Sequence, residues 1–219
     1  MQPPRSAAEP VSGAGRIGLP VFGIVGGIGS GKSSIARRAA EFDPALRVYD
    51  ADEAGHRALR TAEVRDQLTA RFGPRILAPD GDVDRRRLAE IVFADETARQ
   101  DLEAIVHPAI RRDFEQRLAH WEQDGAVRAV LLDAAVLLEA GWGDACRAVA
   151  YVDVPREERL RRVAARGWDD AELSRREASQ WPLNAKRDAA DFVIRNDATL
   201  DIAGRELYEY IHQALRSPA

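Results

Sequence analysis

The stretch GIVGGIGSGKSSIARR, residues 23–38, constrains this chain more than any other. Four glycines (Gly26, Gly27, Gly29 and Gly31) crowd six positions, and Lys32 and Ser33 follow directly. Glycine loses more backbone freedom on folding than any other residue, so this density marks a place where the main chain itself must come close to something. The spacing Gly26-x-x-x-x-Gly31-Lys32-Ser33 is that of a phosphate-binding loop. In such a loop main-chain amides hold polyphosphate oxygens, the lysine reaches the β- and γ-phosphates, and the hydroxyl ligates Mg²⁺. The context demanded is a strand before the loop and a helix after it. VFGIV (21–25) and SSIARRAAEF (33–42) supply both. The predicted cradle is Gly27, Ile28, Gly29, Ser30, Gly31, Lys32, Ser33 and Ser34, and its predicted ligand is a nucleoside triphosphate with magnesium. A tight glycine turn holding no ligand is the competing reading.

A strand–loop–helix unit of this kind belongs to an α/β fold, and the rest of the chain agrees. VFGIV, LRVY (46–49), AVLLD (129–133), RAVAYV (147–152) and DFVIRN (191–196) are short apolar runs without clean alternation, as expected of strands buried on both faces. Helical periodicity predicts helices over 33–42, 63–72, 84–93, 97–106, 109–121, 156–166, 170–180 and 200–215. Strand–helix–strand alternation gives a parallel sheet with helices on both faces. Residues 53–125 break that rhythm: they read as helices with no convincing strand, interrupted by FGPRILAPDGD (72–82). The expected organisation is a core of 17–52 and 126–219, with 53–125 inserted as a helical domain.

Composition removes several function classes. A net charge of −4 argues against a broad nucleic-acid-binding surface. No apolar run approaches the roughly 18 residues of a membrane span. Cys146 is the only cysteine, so no intramolecular disulfide forms and a reducing, cytoplasmic setting fits. The first 16 residues, rich in Pro, Gly, Ala and Ser, lack the apolar core of a signal peptide and are expected to be a disordered tail. Of 32 basic residues only Lys32 and Lys186 are lysines; one falls in the phosphate loop and the other in a second basic cluster, Asn184-Ala185-Lys186-Arg187.

Three classes of protein share the loop. A switch GTPase needs an Asn-Lys-x-Asp guanine motif, which NAKR (184–187) is not, and a transporter ATPase needs a glutamate after the strand-end Asp133, where Ala134 stands. A small-molecule kinase remains. In VYDAD (48–52), Asp50 and Asp52 follow the second strand, where open α/β sheets place ligands. One carboxylate is expected to take the acceptor's proton and the other to hold Mg²⁺ or its waters; the alternative is that Asp52 caps the helix EAGHRALR. Arg159, Arg162 and Arg166 recur at i, i+3 and i+7 of one predicted helix, the pattern of arginines that a closing lid brings to a phosphoryl group. For Arg159 a solvated face paired with Glu157 and Glu158 is preferred. Trp142, Trp168 and Trp181 are read as packing residues.

Taken together, GGIGSGKSS, DADEAGHRAL, FGPRILAPDGDVDRRRL, LEAIVHPAI, LLDAAVLLE and QWPLNAKRDAADFVIRN resemble the dephospho-CoA kinase family in order and spacing over roughly residues 21–200. The resemblance implies a phosphate-loop kinase core, a helical CoA domain and a lid at about 155–188. It implies direct phosphoryl transfer from ATP, with Mg²⁺, to the ribose 3′-hydroxyl of dephospho-CoA. By position, Asp52 matches the catalytic base, Lys32 and Ser33 the phosphate lysine and magnesium ligand, and Arg162 and Arg166 the lid arginines. Asp50 is the second expected metal ligand. Asp50, Asp52, His56, Arg85, His107 and Lys186 are the expected acceptor contacts, and Asn196 is placed with the nucleotide. The partners implied are small molecules alone. Val25 replaces the usual threonine, His56 the usual arginine (with Arg57 one position late), and Ala135 and Ala198 replace proline and glycine. The pair His107-Pro108 also admits a structural reading, as the start of a helix.

Overall fold

The computed structural model describes residues 18–216; the segment expected to be a disordered tail lies outside them. Five strands form one sheet: β1 (Val21–Gly26), β2 (Leu46–Asp50), β3 (Ala129–Asp133), β4 (Ala148–Asp153) and β5 (Phe192–Arg195). Their order is β2-β3-β1-β4-β5, and every pairing is parallel. β1 and β3 are buried along their whole length, which is why their sequences carry no polar alternation. The five predicted strands are therefore all present, within a residue or so at each end.

One face of the sheet is closed by α1 (Lys32–Phe42) and α9 (Leu200–Arg216). Phe22 and Ile24 of β1, Leu131 of β3 and Val152 of β4 pack there with Ile35, Ala39, Leu207 and Ile211. α9 crosses α1 closely enough that a Cβ on Gly204 would fall 2.5 Å from Arg38 Cγ. This packing fixes α1, and with it the end of the phosphate loop, against the sheet. α6 (Arg156–Ala164), α7 (Asp170–Glu177) and α8 (Leu183–Asp188) lie between β4 and β5 in the chain, and α8 lies against β1.

The chain divides into two compact units: one comprises the chain up to Asp50 and from His120 onward, the other Ala51–Ala119. The second holds α2 (Ala51–Ala58), α3 (Ala62–Phe72), α4 (Arg85–Ala94) and most of α5 (Glu96–Gln123). Its helices begin where the sequence provides caps: Thr61 accepts from the amide of Val64, and Asp84 accepts from those of Arg86 and Arg87, as short oxygen-bearing side chains do at helix starts. Val64, Leu68, Phe72, Leu88, Val92 and Val106 make a core of its own.

Two expectations need correction, and one helix has no counterpart among those predicted. The segments predicted as separate helices on either side of His107-Pro108 are one continuous 28-residue helix with Pro108 inside it. An interior proline costs a helix about 3 kcal/mol or more; Ala98, Val106 and Phe114, buried on both sides of it, outweigh that cost. His107 therefore does not mark a helix start. α6 stops at Ala164, so Arg166 lies past its end and shares no helix face with Arg159 and Arg162. α8, only six residues long, is too short to leave a periodic signal.

Candidate active site

The strands end together on one edge of the sheet, and the loop from Gly26 to Gly31 rises from the central one. Gly29 and Gly31 have φ of +79° and +86°. A Cβ on Gly29 would lie 2.8 Å from the Arg159 carbonyl oxygen, and one on Gly31 2.7 Å from Asn196 Nδ2. Left-handed backbone and lack of space thus both demand glycine at these two positions. Gly31 caps α1 without a side-chain hydrogen bond, and the first turn of α1 carries no acid. Its leading amides and its partial positive charge are offered to an anion. Ser30 Oγ is fully buried with no hydrogen-bond partner among the described residues. Lys32 Nζ lies 3.2 Å from the carbonyl oxygens of both Gly26 and Gly27. A polyphosphate fits this cradle: it would supply acceptors for the amides and a counter-charge for Lys32.

The carbonyl side of the loop is braced. Asn196, buried just beyond β5, donates from Nδ2 to the Ser30 carbonyl at 2.7 Å. Arg162 donates to the same carbonyl at 3.1 Å and to that of Asn196 at 2.9 Å. Glu158 anchors Arg162 through Nε at 2.7 Å, and the Arg161 and Arg162 guanidiniums hold the Glu158 carboxyl at about 2.

Acidic groups close the neighbouring strands. Asp50 ends β2 in register with Asp133, which ends β3 beside Ile24 of β1. Asp133 is buried, whereas Asp50 is reached from α1 by Arg37 at 3.1 Å. Hydroxyl and carboxylate oxygens, Ser33 with Asp50 and Asp133, are the donors a hard cation such as Mg²⁺ takes. Asp52 lies in the first turn of α2, which begins at Ala51; it is exposed and is not the residue before the helix that capping requires.

A family model for dephospho-CoA kinase matches residues 20–201. The chain belongs to the dephospho-CoA kinase family. The dephospho-CoA kinase of Geobacter sulfurreducens is 40% identical over 193 residues, covering 87% of this chain and 96% of that protein. That of Geobacillus kaustophilus is 39% identical over 198 residues, covering 88% and 95%. Among solved structures, TT1252 from Thermus thermophilus aligns with a TM-score of 0.77 at 34% identity, over 90% of this chain and 98% of that one.

The predicted site residues of this dephospho-CoA kinase family member fall into distinct groups. Gly27 to Ser34, Arg162 and Asn196 gather at the loop, as described above. In the helical unit, Arg85 Nη2 donates to His56 Nε2 at 2.7 Å; a guanidinium has no acceptor, so His56 presents its lone pair there. Arg57 turns instead to Asp113 at 2.9 Å. His107, half-buried on α5, has its imidazole pushed below the ordinary value by burial, which the Glu103 carboxylate opposes.

Lys186 is a correction. Its side chain is wholly inaccessible, and Nζ is held by the Ala135 carbonyl at 2.7 Å, Gln180 Oε1 at 3.0 Å and Glu139 Oε1 at 2.8 Å. All three donors of its ammonium are taken, so it ties the segment after β3 to α8 and has nothing left with which to grip a substrate. Arg159 is the second correction: its side chain is buried and pairs with Glu177, not with Glu157 or Glu158. Arg166 is exposed and lies over the Trp168 ring, 5.9 Å from its centroid. Asp133 joins the candidate site residues, and its signal is present in the sequence: an acid closing an otherwise apolar strand, AVLLD.

Proposed function

We propose that this chain transfers the terminal phosphoryl group of ATP to the ribose 3′-hydroxyl of dephospho-CoA, giving coenzyme A. One observation carries the reading: a single dephospho-CoA kinase family match runs unbroken through residues 20–201, taking in both the phosphate loop and the helical unit that follows β2. The amides of Gly27 to Ser33 hold the β- and γ-phosphates, and Lys32 leaves the loop carbonyls for phosphate oxygens. Ser33 with Asp50 and Asp133 would hold Mg²⁺, which would supply positive charge against the developing negative charge. Arg162, held by Glu158 and by the Ser30 and Asn196 carbonyls, lends positive charge from behind the loop, and Arg166 reaches the transferred group from the segment beyond α6. Asp52 accepts the proton of the acceptor hydroxyl, so that transfer proceeds in line without a phospho-enzyme; kinases of this type act mainly by positioning and charge stabilisation. His56, Arg85 and His107 contact the acceptor, with the Arg85–His56 pair as its polar anchor. Desolvation pushes the Cys146 thiol up to about 12, which leaves it unreactive; with a single cysteine in the chain, a cytoplasmic setting is part of this proposal.

The test is ATP consumption measured side by side with dephospho-CoA, adenosine, AMP and no acceptor. Turnover with dephospho-CoA alone is expected; equal turnover with AMP or adenosine refutes the acceptor. In the same assay Asp52→Asn is expected to lose about 10²–10⁴-fold in turnover, the usual worth of general-base help, while binding ATP as the parent does. A near-normal rate removes Asp52 from that role.

A further inference from the structure

We propose that Arg159 is a positioning residue for the nucleotide, fixing the Ile28 carbonyl and thereby aiming the Gly29 amide, with Glu177 of α7 holding the guanidinium in place. The inference rests on the phosphate-loop reading above. Arg159 Nε donates to the Val154 carbonyl at 3.3 Å, and Nη1 donates to the Ile28 carbonyl at 3.4 Å and to Glu177 Oε1. A Cβ on Gly27 would fall 2.9 Å from that same Nη1, so guanidinium and loop are in direct contact.

A trans peptide sets its C=O and N–H in opposite directions. With the Ile28 carbonyl turned toward Arg159, the Gly29 N–H faces away from it. The Ser30 carbonyl, taken by Asn196 and Arg162, turns the Gly31 N–H by the same rule. Two alternate peptides, each with its carbonyl pinned by donors behind the loop, present their amides as an anion-binding nest. Arg162 and Asn196 serve the second peptide, and Arg159 serves the first.

The arrangement also reaches the segment proposed as a lid. A guanidinium only 5% exposed needs a counter-charge, and Glu177, at the end of α7, supplies it. The other Glu177 oxygen takes Arg156 Nη1 at 2.9 Å, and Arg156 Nη2 reaches Asp170 Oδ1 and Ser174 Oγ at 2.8 Å each. A chain of ion pairs therefore runs from the phosphate loop through α6 into α7. The placement of α7 and the shape of the anion cradle are set together.

The test uses the double substitution R159M/E177L, which fills the space with apolar atoms and strands neither charge. ATP affinity is read by calorimetry, KM for dephospho-CoA by turnover, and the fold by thermal denaturation. The expected result is a thermal midpoint and acceptor KM close to the parent's, with ATP binding weakened about tenfold or more, the worth of one hydrogen bond to a charged group. E177Q, which keeps an acceptor but loses the charge, should fall between the two. Unchanged ATP affinity in the folded double variant overturns the proposal and reduces the pair to a staple. Equal weakening of both substrates together with a lowered midpoint overturns it as well. A parent protein that binds ATP but leaves dephospho-CoA untouched refutes the acceptor reading alone, because calorimetry still decides the role of Arg159.

Discussion

Lys186→Met removes a charge from a wholly buried side chain while keeping most of its volume. The ammonium is lost from three acceptors at 2.7–3.0 Å, and its ionic partner Glu139 is left behind with 15% of its side chain exposed. Glu139 keeps one donor, the Trp181 amide at 2.8 Å, while its second oxygen is already without a hydrogen-bond partner among the described residues. Removing one member of a buried ion pair costs about 3–5 kcal/mol. The retained amide bond and the remaining exposure place this case at the lower end, about 3 kcal/mol. For a chain of this size that corresponds to a fall of roughly 6–12 °C in thermal midpoint. Since folded domains have about 5–15 kcal/mol in hand, the variant still folds and its loss is measurable by urea denaturation at neutral pH. Adding Glu139→Gln removes the stranded charge, so the double variant should be more stable than the sum of the single losses by about 1–2 kcal/mol, within the range of couplings measured between contacting groups. A Lys186→Met loss below about 1 kcal/mol, or strict additivity in the cycle, refutes the argument that this ammonium carries the junction between the segment after β3 and α8.

Two further outcomes follow from single groups. Gly31→Ala forces a side chain into φ +86° and against Asn196 Nδ2. It is expected to cost about 1–2 kcal/mol of stability and to weaken ATP binding by displacing Asn196 from the Ser30 carbonyl, an effect that calorimetry would detect; undiminished affinity contradicts the bracing role. His107 has a lowered folded-state value because burial disfavours its charged form. The unfolded chain therefore takes up this proton first as pH falls. The associated stability is complete above the ordinary value of about 6.5 and is lost as pH falls from there through the folded-state value. An NMR titration of His107 with a midpoint at or above the ordinary value contradicts this, and His107→Gln should flatten that part of the stability profile.

What could be read from the sequence, and what could not, divides along physical lines. The phosphate loop was legible because its chemistry is carried by main chain: the amides need closeness and unusual φ, and both demands appear directly as glycine at positions 29 and 31. The strands were legible because burial on both faces leaves a continuous apolar run, as in AVLLD. Arg159 and Lys186 were misread for a shared reason. A basic side chain says nothing of whether it faces solvent, and its partners can lie far along the chain: Glu177 follows Arg159 by 18 residues, and Ala135, whose carbonyl holds Lys186, precedes it by 51. Arg166 was grouped with Arg159 and Arg162 by a period that holds only while the helix lasts, and the chain turns out of α6 before reaching it. Pro108 misled in the opposite direction, because a local breaker is outweighed when apolar residues on both sides of it pack into one core. These departures trace to reach: a residue type encodes its own preferences, whereas its partner is chosen by the fold. The buried ion pairs of α6, α7 and α8 are all of this second kind, and they stand behind the loop's carbonyls and at the junction after β3. Substituting glycines tests whether the cradle can form. Substituting Arg159, Glu177 or Lys186 tests whether the fold can aim it and hold its surroundings, and only these variants separate anion binding from the placement of the segment that follows α6.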